Sequence, residues 1–362
     1  MNLSEEQAKI VKAPEKQIAV IGPPGTGKTR VLTERIKALI ENGTDPKDIT
    51  AITFTNFAAN EMKARLPSSA SMFIGTMHSY AARILIDNGI PVNIAEMVER
   101  SDFSELIHKV NNSDNLVLPH SKYLFVDEVQ DLCDYEFHFI MKLPYDNIFL
   151  GGDADQCIYQ FKGAKPQLFN NYCLSSSTTT YTLTHNYRCG QNIIEFAEYF
   201  MLNMPNRIPV QVTGNLIDRG WVSRVDFSDA LFELYNNRDY GKWFILTRTN
   251  AELEEAGKQL KSFNIPYTSF KQGDFTNEEI EKFLKNNEVK LLTIHSAKGL
   301  EMDNVIVVGA RNWNGEEKCI EYVAATRARR KLFWCPSIAI PKKNTQRKTA
   351  KTTRKTTGIS WE

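Results

Sequence analysis

Residues 22–29 read GPPGTGKT. They stand directly after the apolar run QIAVI (17–21) and open a helix-like stretch over 28–41. Strand, glycine-rich turn and helix is the setting in which backbone N–H groups close around phosphate oxygens. Gly22, Gly25 and Gly27 permit the tight curl around Thr26, and the helix N-terminus favours negative charge. Lys28 then reaches the β- and γ-phosphates, and the Thr29 hydroxyl is placed for Mg²⁺. A second constellation follows the apolar run KYLFV in Asp127-Glu128-Val129-Gln130-Asp131. Acids at the carboxyl end of a strand lie at the edge where open α/β sheets bind ligands. Asp127 suits Mg²⁺, through water, and Glu128 suits the orientation and deprotonation of an attacking water. Alone, such acids read equally well as a solvated turn; behind a phosphate loop the chemical reading prevails. Arg188 in THNYR and Arg327 in YVAATRAR are cations of the kind that stabilise a γ-phosphate as charge develops. Each arginine taken alone reads as a surface charge.

These groups need a scaffold. Short β-branched apolar runs at 17–21, 49–54, 122–127, 147–151, 179–183, 243–247, 289–294, 304–308 and 331–335 predict strands. Helical patterns fall between them at 28–41, 56–66, 190–201, 250–262 and 316–328. Strand–helix alternation with continuously apolar strands predicts parallel sheets covered on both faces. So many strands exceed one small sheet, and two α/β domains are expected, with a boundary near 183. Residues 84–121 read as mostly helical and carry no legible chemistry.

Composition sets outer limits. The chain has 362 residues, 42% hydrophobic and 24% charged, enough for two cores of ordinary size. No apolar run is long enough to span a membrane, and the polar start MNLSEEQAKIVK lacks a signal core, so a cytoplasmic protein is expected. The six cysteines form no CxxC pair, which argues against a zinc site and for free thiols. Net charge is +1, but residues 341–362 carry about +6 and the remainder about −5. The tail reads either as a disordered arm adding salt-sensitive DNA affinity or as a solvated terminus. Any nucleic-acid signal elsewhere must come from local sites.

The motif strings, in order, resemble the UvrD/Rep/PcrA family of superfamily 1 DNA helicases. They are NLSEEQ (2–7), GPPGTGKT (22–29), AITFTNFAANEMKARL (51–66), IGTMHSYAARIL (74–85) and VDEVQD (126–131). GGDADQCIYQFKGA (151–164), LTHNYRCGQNI (183–193), TIHSAKGLEMDNV (293–305) and YVAATRARRKL (322–332) complete the set. The resemblance implies an α/β fold of two RecA-like (P-loop NTPase) domains, 1–183 and 184–340, with a vestigial helical insertion at 84–121 and a disordered basic tail. It implies an ATP-dependent translocase or helicase moving 3′ to 5′ on single-stranded DNA with ATP and Mg²⁺. The alternative is a DNA-stimulated ATPase switch or recruiting subunit that does not unwind. By position it assigns Gln7 to the adenine edge, Arg30 and Tyr187 to a sandwich of the adenine ring, and Glu301 to the ribose. Gln156 would link the γ-phosphate to the DNA site, and Arg188 and Arg327 would be γ-phosphate arginines supplied in cis.

Phe54, Tyr159 and Phe161 match positions where the family stacks bases, a contact that tolerates any sequence. Phe54 has core as its lesser alternative, whereas Tyr159 and Phe161 sit among polar residues and are expected to be exposed. Asn56, Thr76 and His78 resemble phosphate-backbone contacts, and His295 a further DNA contact. A histidine hydrogen-bonded within the domain interface is as ready a reading of His78 and His295. The partners expected are single-stranded DNA, a single-/double-strand junction, and accessory proteins of replication, repair or a phage, with the chain acting as a monomer. Departures from the family pattern are visible. The segments 82–121 and 270–289 are short where the family carries large inserted subdomains, which leaves duplex separation open. Phe57 stands in place of the usual lysine, either weakening a phosphate contact or packing, and Cys189 and Met302 replace commoner residues.

Overall fold

The computed structural model describes residues 3–66, 71–100, 102–270, 277–309 and 315–338; the tail from 341 lies outside them. Six strands, β1 (Gln17–Ile21), β2 (Ile49–Thr53), β3 (Phe73–Thr76), β4 (Ser121–Val126), β5 (Tyr145–Gly152) and β6 (Thr179–Thr182), form one parallel sheet. Its order is β3-β2-β4-β5-β1-β6. A short parallel ribbon, β7 (His185–Gly190) with β8 (Thr213–Asn215), follows. The second sheet holds β9 (Trp221–Arg224), β10 (Trp243–Thr247), β11 (Tyr267–Phe270), β12 (Val289–Thr293), β13 (Met302–Val308) and β14 (Ala328–Cys335). It too is parallel, in the order β11-β12-β10-β13-β14-β9.

The helices are α1 (Glu5–Val11), α2 (Lys28–Glu41), α3 (Asn56–Arg65), α4 (Met77–Asp87), α5 (Ile94–Arg100), α6 (Ser104–Asn111), α7 (Asp134–Lys142), α8 (Pro166–Cys173), α9 (Gln191–Met201), α10 (Phe227–Asn237), α11 (Asn250–Ser262), α12 (Asn277–Lys285) and α13 (Lys318–Ala325). Their starts are chemically marked. Ser4 and Gln7 form a capping box on α1, and Thr249 and Glu252 form one on α11. Thr55 and Thr76 cap α3 and α4 through their hydroxyls. In a parallel sheet these starts follow strand ends, so α2, α3 and α4 all open at the carboxyl edge.

The continuously apolar strands are buried on both faces, as expected. Alternation assigns each side chain its side. Ala19, Leu124, Val126, Ile148 and Leu150 face one core of the first sheet, and Ile18, Val20, Phe125 and Phe149 face the other. In the second sheet Phe244, Leu246, Val305 and Val307 face one core and Trp243, Ile245, Ile306 and Val308 the opposite one. Cys157, Ile158, Tyr159 and Ala164, which follow β5, insert into the second sheet's core beside α9 and α13. Apolar burial thus holds the two sheets together.

Every expected strand is present, but β3, β7, β8, β9 and β11 were not expected. They are three to six residues long and carry Gly75, Arg188, Gly214, Arg224 or Ser269 among few large apolar residues, so no apolar run marks them. Residues 84–121 hold the end of α4, then α5, α6 and an extended stretch into β4. Helix α1 is fixed to α2 by the buried Arg35, whose guanidinium donates to the Ile10 and Val11 carbonyls at 2.9 and 3.1 Å. Arg35→Leu leaves those carbonyls unsatisfied and should cost about 2–3 kcal/mol, read as a lower denaturant midpoint with unchanged slope.

Candidate nucleotide site between two sheets

Strand β1 delivers the chain to Gly22, whose amide donates to the Gly152 carbonyl at 3.0 Å. The loop then curls through Gly25 (φ 75°) and Gly27 (φ 88°) into α2. A side chain at Gly25 would be doubly penalised. The backbone is left-handed, and an added Cβ would lie 2.6 Å from Arg188 Cβ. Gln7 is buried and donates through Nε2 to the Thr26 carbonyl at 3.1 Å. Gly27 lies beside both Gln7 and Arg30, so the expected base contacts gather at the start of α2. Tyr187 projects nearby, 51% exposed, with the His185 ring 4.5 Å away.

The expected cation and acids meet. Lys28 Nζ lies 3.0 Å from Glu128 and 3.9 Å from Asp127. Burial disfavours the lysine's charge, but Glu128, Asp127 and Asp153 outweigh it and hold its pKa above the usual value. The Thr29 hydroxyl donates to Asp127 Oδ2 at 2.8 Å. Burial, opposed by Lys28, pushes Asp127 up to about 6. Burial also raises Glu128, but Lys28 and Lys298 overcome it and bring the carboxyl down to about 2. Glu128 is therefore ionised across the neutral range. It sits at φ 58°, a strained conformation for a residue with a Cβ, and accepts from the Gln130 amide.

The second half of the chain reaches this loop directly. The Asn186 amide donates to the Pro24 carbonyl, and the Tyr187 amide donates to the Gly25 carbonyl at 2.9 Å. Asn186 Oδ1 in turn accepts from the Arg188 amide at 2.8 Å. Arg188 is thereby seated beside the loop, its guanidinium paired with Glu301. Glu301 also binds Arg329, so the expected ribose carboxylate is engaged by two arginines here.

Arg327 is buried, and its guanidinium donates to the Val323 and Leu300 carbonyls at 2.9 and 3.2 Å. Burial, and then the charge of Arg188, bring it down to about 9. Tyr159 is not exposed: at 4% exposure it lies in the core between the sheets, stacked on Phe54 at 5.4 Å. Its pattern of polar neighbours hid the contact with the second sheet. Phe161 is exposed as expected, at 69%.

The remaining expected residues line the carboxyl edge. Phe54 is half-buried after β2, Asn56 is exposed in the first turn of α3, and Thr76 caps α4. Phe57 packs against the second sheet's core. His78 is half-buried with Phe103 6.1 Å from its ring. His295 bonds the Ile158 carbonyl at 3.2 Å, and burial, with the Arg248 charge, brings it down to about 4, so it is neutral at pH 7. That is the interface reading of His295. Gln156 is buried and donates to Asp153 at 2.8 Å.

Lys298 escaped the sequence reading. It leaves the loop after β12, crosses to pair with Asp131 and donates to the Gln156 carbonyl at 2.9 Å. Its only signal was its place within TIHSAKGLE. Asn186 and Asp131 were likewise visible only as members of their strings.

Thr29 and Asp127 together present hard oxygens suited to Mg²⁺, a metal that keeps water and phosphate among its ligands. Among the described residues no group of three or more His, Cys, Asp or Glu could hold a metal ion. The six cysteines are free and buried, and no helix among the described residues is long and apolar enough to cross a membrane.

Residues 3–117 and 99–173 match the UvrD/REP helicase N-terminal domain, and residues 275–336 match the UvrD-like helicase C-terminal domain. The chain belongs to the UvrD-like helicase family. The two parallel sheets are the family's RecA-like domains. Its relatives include a "Probable DNA helicase" of Mycoplasma pneumoniae, 25% identical across 92% of this chain and 83% of the relative. The ATP-dependent DNA helicase PcrA of Leuconostoc citreum is 25% identical across 74% of this chain and 49% of its own length. A "Probable DNA helicase II homolog" of Mycoplasma capricolum is 25% identical across 80% and 55%. This UvrD-like chain thus spans about half the length of the latter two.

In this UvrD-like site, Gly25→Ala should displace the Tyr187–Arg188 segment. We expect nucleotide affinity to fall at least about tenfold, a loss of ~1.4 kcal/mol, measured by titration with a fluorescent ATP analogue.

Proposed function

We propose that this chain is an ATP-driven motor that moves 3′ to 5′ along single-stranded DNA, with Mg²⁺ as cofactor and the two units dividing near residue 183. The observation that carries the reading is the clasp of Asn186 and Tyr187 on the Pro24 and Gly25 carbonyls. It puts an arginine-bearing strand from one unit against the phosphate loop of the other. Gln7, Arg30 and Tyr187 hold the base, and Gly22 to Thr29 hold the phosphates. Thr29 and Asp127 hold Mg²⁺, which when bound neutralises phosphate charge. Lys28 turns from Glu128 to the phosphates, and the ionised Glu128 is released to orient and deprotonate the attacking water. Arg188 leaves Glu301 for the γ-phosphate, and Glu301 becomes available to the ribose. Arg327 acts from behind Arg188, and reaches phosphate only if closure frees it from its carbonyls. Loss of the γ-phosphate removes the bridge between the units and lets them part.

The strand lies across the carboxyl edges, over the starts of α3 and α4 with Asn56, Thr76 and His78, and over Phe54 and Phe161. Tyr159 joins this surface when the units separate, and His295 acts by holding the Ile158 backbone. A second reading, an ATPase switch that recruits partners without unwinding, is favoured by the short segments at 82–121 and 270–289.

Single-stranded DNA should raise ATP turnover many-fold over its absence, with duplex DNA and RNA compared in parallel. Lys28→Ala or Glu128→Gln should lower kcat about 100-fold or more. Turnover indifferent to polynucleotide would end the motor reading. Displacement of a strand from a 3′-tailed duplex by the lone chain, and not from a 5′-tailed one, would support the polarity and disfavour the switch.

A further inference from the structure

The segment between α9 and β8 packs on both sheets. Ile208 lies against the first sheet's core, Met204 against the second's, and Val210 against both. The Asn170 amide of α8 donates to the Asn206 carbonyl at 2.9 Å. Arg207, next in the chain, donates through Nε to Asp155 and through Nη2 to Glu198 of α9, each at 2.6 Å. The Arg207 and Asp155 side chains are only 13% and 12% exposed, so salt screens this pair weakly. Burial pushes Asp155 up to about 6 against the pull of Arg207, so the carboxyl is largely ionised at pH 7.

Asp155 is the middle residue of the short turn Ala154–Gln156 that follows β5. Its backbone amide donates to Asp153 Oδ1 at 3.1 Å, and the Gln156 side chain donates to Asp153 Oδ2 at 2.8 Å. The Asp153 amide donates to Gln130 Oε1 at 2.9 Å, and the Gln130 side chain donates to Glu128. One turn thus offers Asp155 to the second unit, and Gln156 and, through Gln130, Glu128 to the nucleotide site. So short a turn has few free dihedrals, so a displaced Asp155 displaces Gln156 with it.

We propose that Arg207 is a positioning residue for hydrolysis: it ties α9 to the turn bearing Gln156, so that movement of one unit against the other resets Gln156 and Glu128 for the chemical step. The proposal rests on the motor reading above. Helix α9 begins directly after β7, the strand that carries Arg188, so the tie joins the arginine of one unit to the glutamine of the other. A guanidinium suits the task. Its planar fork grips two carboxylates at a fixed angle, which a single ammonium on a flexible stem does not. Asp155 and Glu198 lie outside the Gly22–Thr29 loop, so Arg207 acts on the rate of the chemical step and not on the hold on nucleotide.

The test is ATP turnover by the full chain with and without single-stranded DNA, for Arg207→Gln, Asp155→Asn and the two combined, beside nucleotide affinity read with a fluorescent ATP analogue. Arg207→Gln should lower the DNA-stimulated kcat about tenfold or more and leave nucleotide affinity within about twofold. The ratio of turnover with DNA to turnover without it should fall as well. A folding defect alone would lower both rates alike and keep that ratio. Because the two side chains form one link, the combined variant should lose no more than the worse single one. It also removes the unpaired buried carboxylate, so it serves, with the same lowered ratio expected, if Arg207→Gln does not fold. A wild-type ratio in the folded variants, weaker nucleotide binding that accounts for the whole loss, or single losses that multiply in the combination overturns the proposal and leaves the motor reading standing. A wild-type chain whose turnover ignores DNA overturns the motor reading, and this proposal with it.

Discussion

The constraint on which the rest depends is charge balance in a crevice from which water is largely removed. Lys28 and Arg327 are buried there with Asp127, Asp131 and Asp153, and Lys298, Glu128, Glu301 and Arg188 lie at its margin. A buried charge left alone costs several kcal/mol, so each must find an opposite charge or a set of dipoles. The partners come from both units. Lys28 is balanced within the first, Lys298 crosses from the second to Asp131, and Arg327 is satisfied by carbonyls of the second. The two sheets are therefore held in register by electrostatics as well as by the apolar insertion of Ile158 and Tyr159.

This arrangement leaves carboxylates where phosphate would go. Glu128 sits on Lys28 and Glu301 on Arg188, so both cations are already compensated before any triphosphate arrives. A phosphate entering the loop exchanges one anion for another rather than meeting bare positive charge. Such an exchange would release Glu128 from Lys28 and Glu301 from Arg188. Strain sits at the same place: Glu128 holds left-handed backbone, and at Gly25, also left-handed, Arg188 and Asn186 leave no room for a side chain.

The scaffold was legible in the sequence where strands are buried on both faces, because burial on both sides forces an unbroken apolar run. The edge strands β3, β9 and β11 have one neighbour each and tolerate glycine, serine and arginine, so no such run announces them. At the site, Lys28, Thr29, Asp127 and Glu128 were readable because their roles follow from local order along strand, loop and helix. Tyr159 was misread and Lys298 missed because their environments are made by the other unit. Neighbours in sequence do not disclose that Tyr159 is enclosed by Phe54 and His295, or that Arg327 spends its donors on Val323 and Leu300.

Lys298 joins the two halves of the proposed cycle. Its ammonium lies 5.0 Å from the Tyr159 ring centroid, within cation–π range, while its hydrogen bonds go to Asp131 and the Gln156 carbonyl. Its charge is also one of the two that depress Glu128. A shift of Lys298 that changes its contact with Tyr159 also changes the field at Glu128. Coupling between strand and nucleotide then requires no long relay. It requires one side chain whose favourable partners belong to both sites and cannot all be kept once either site changes.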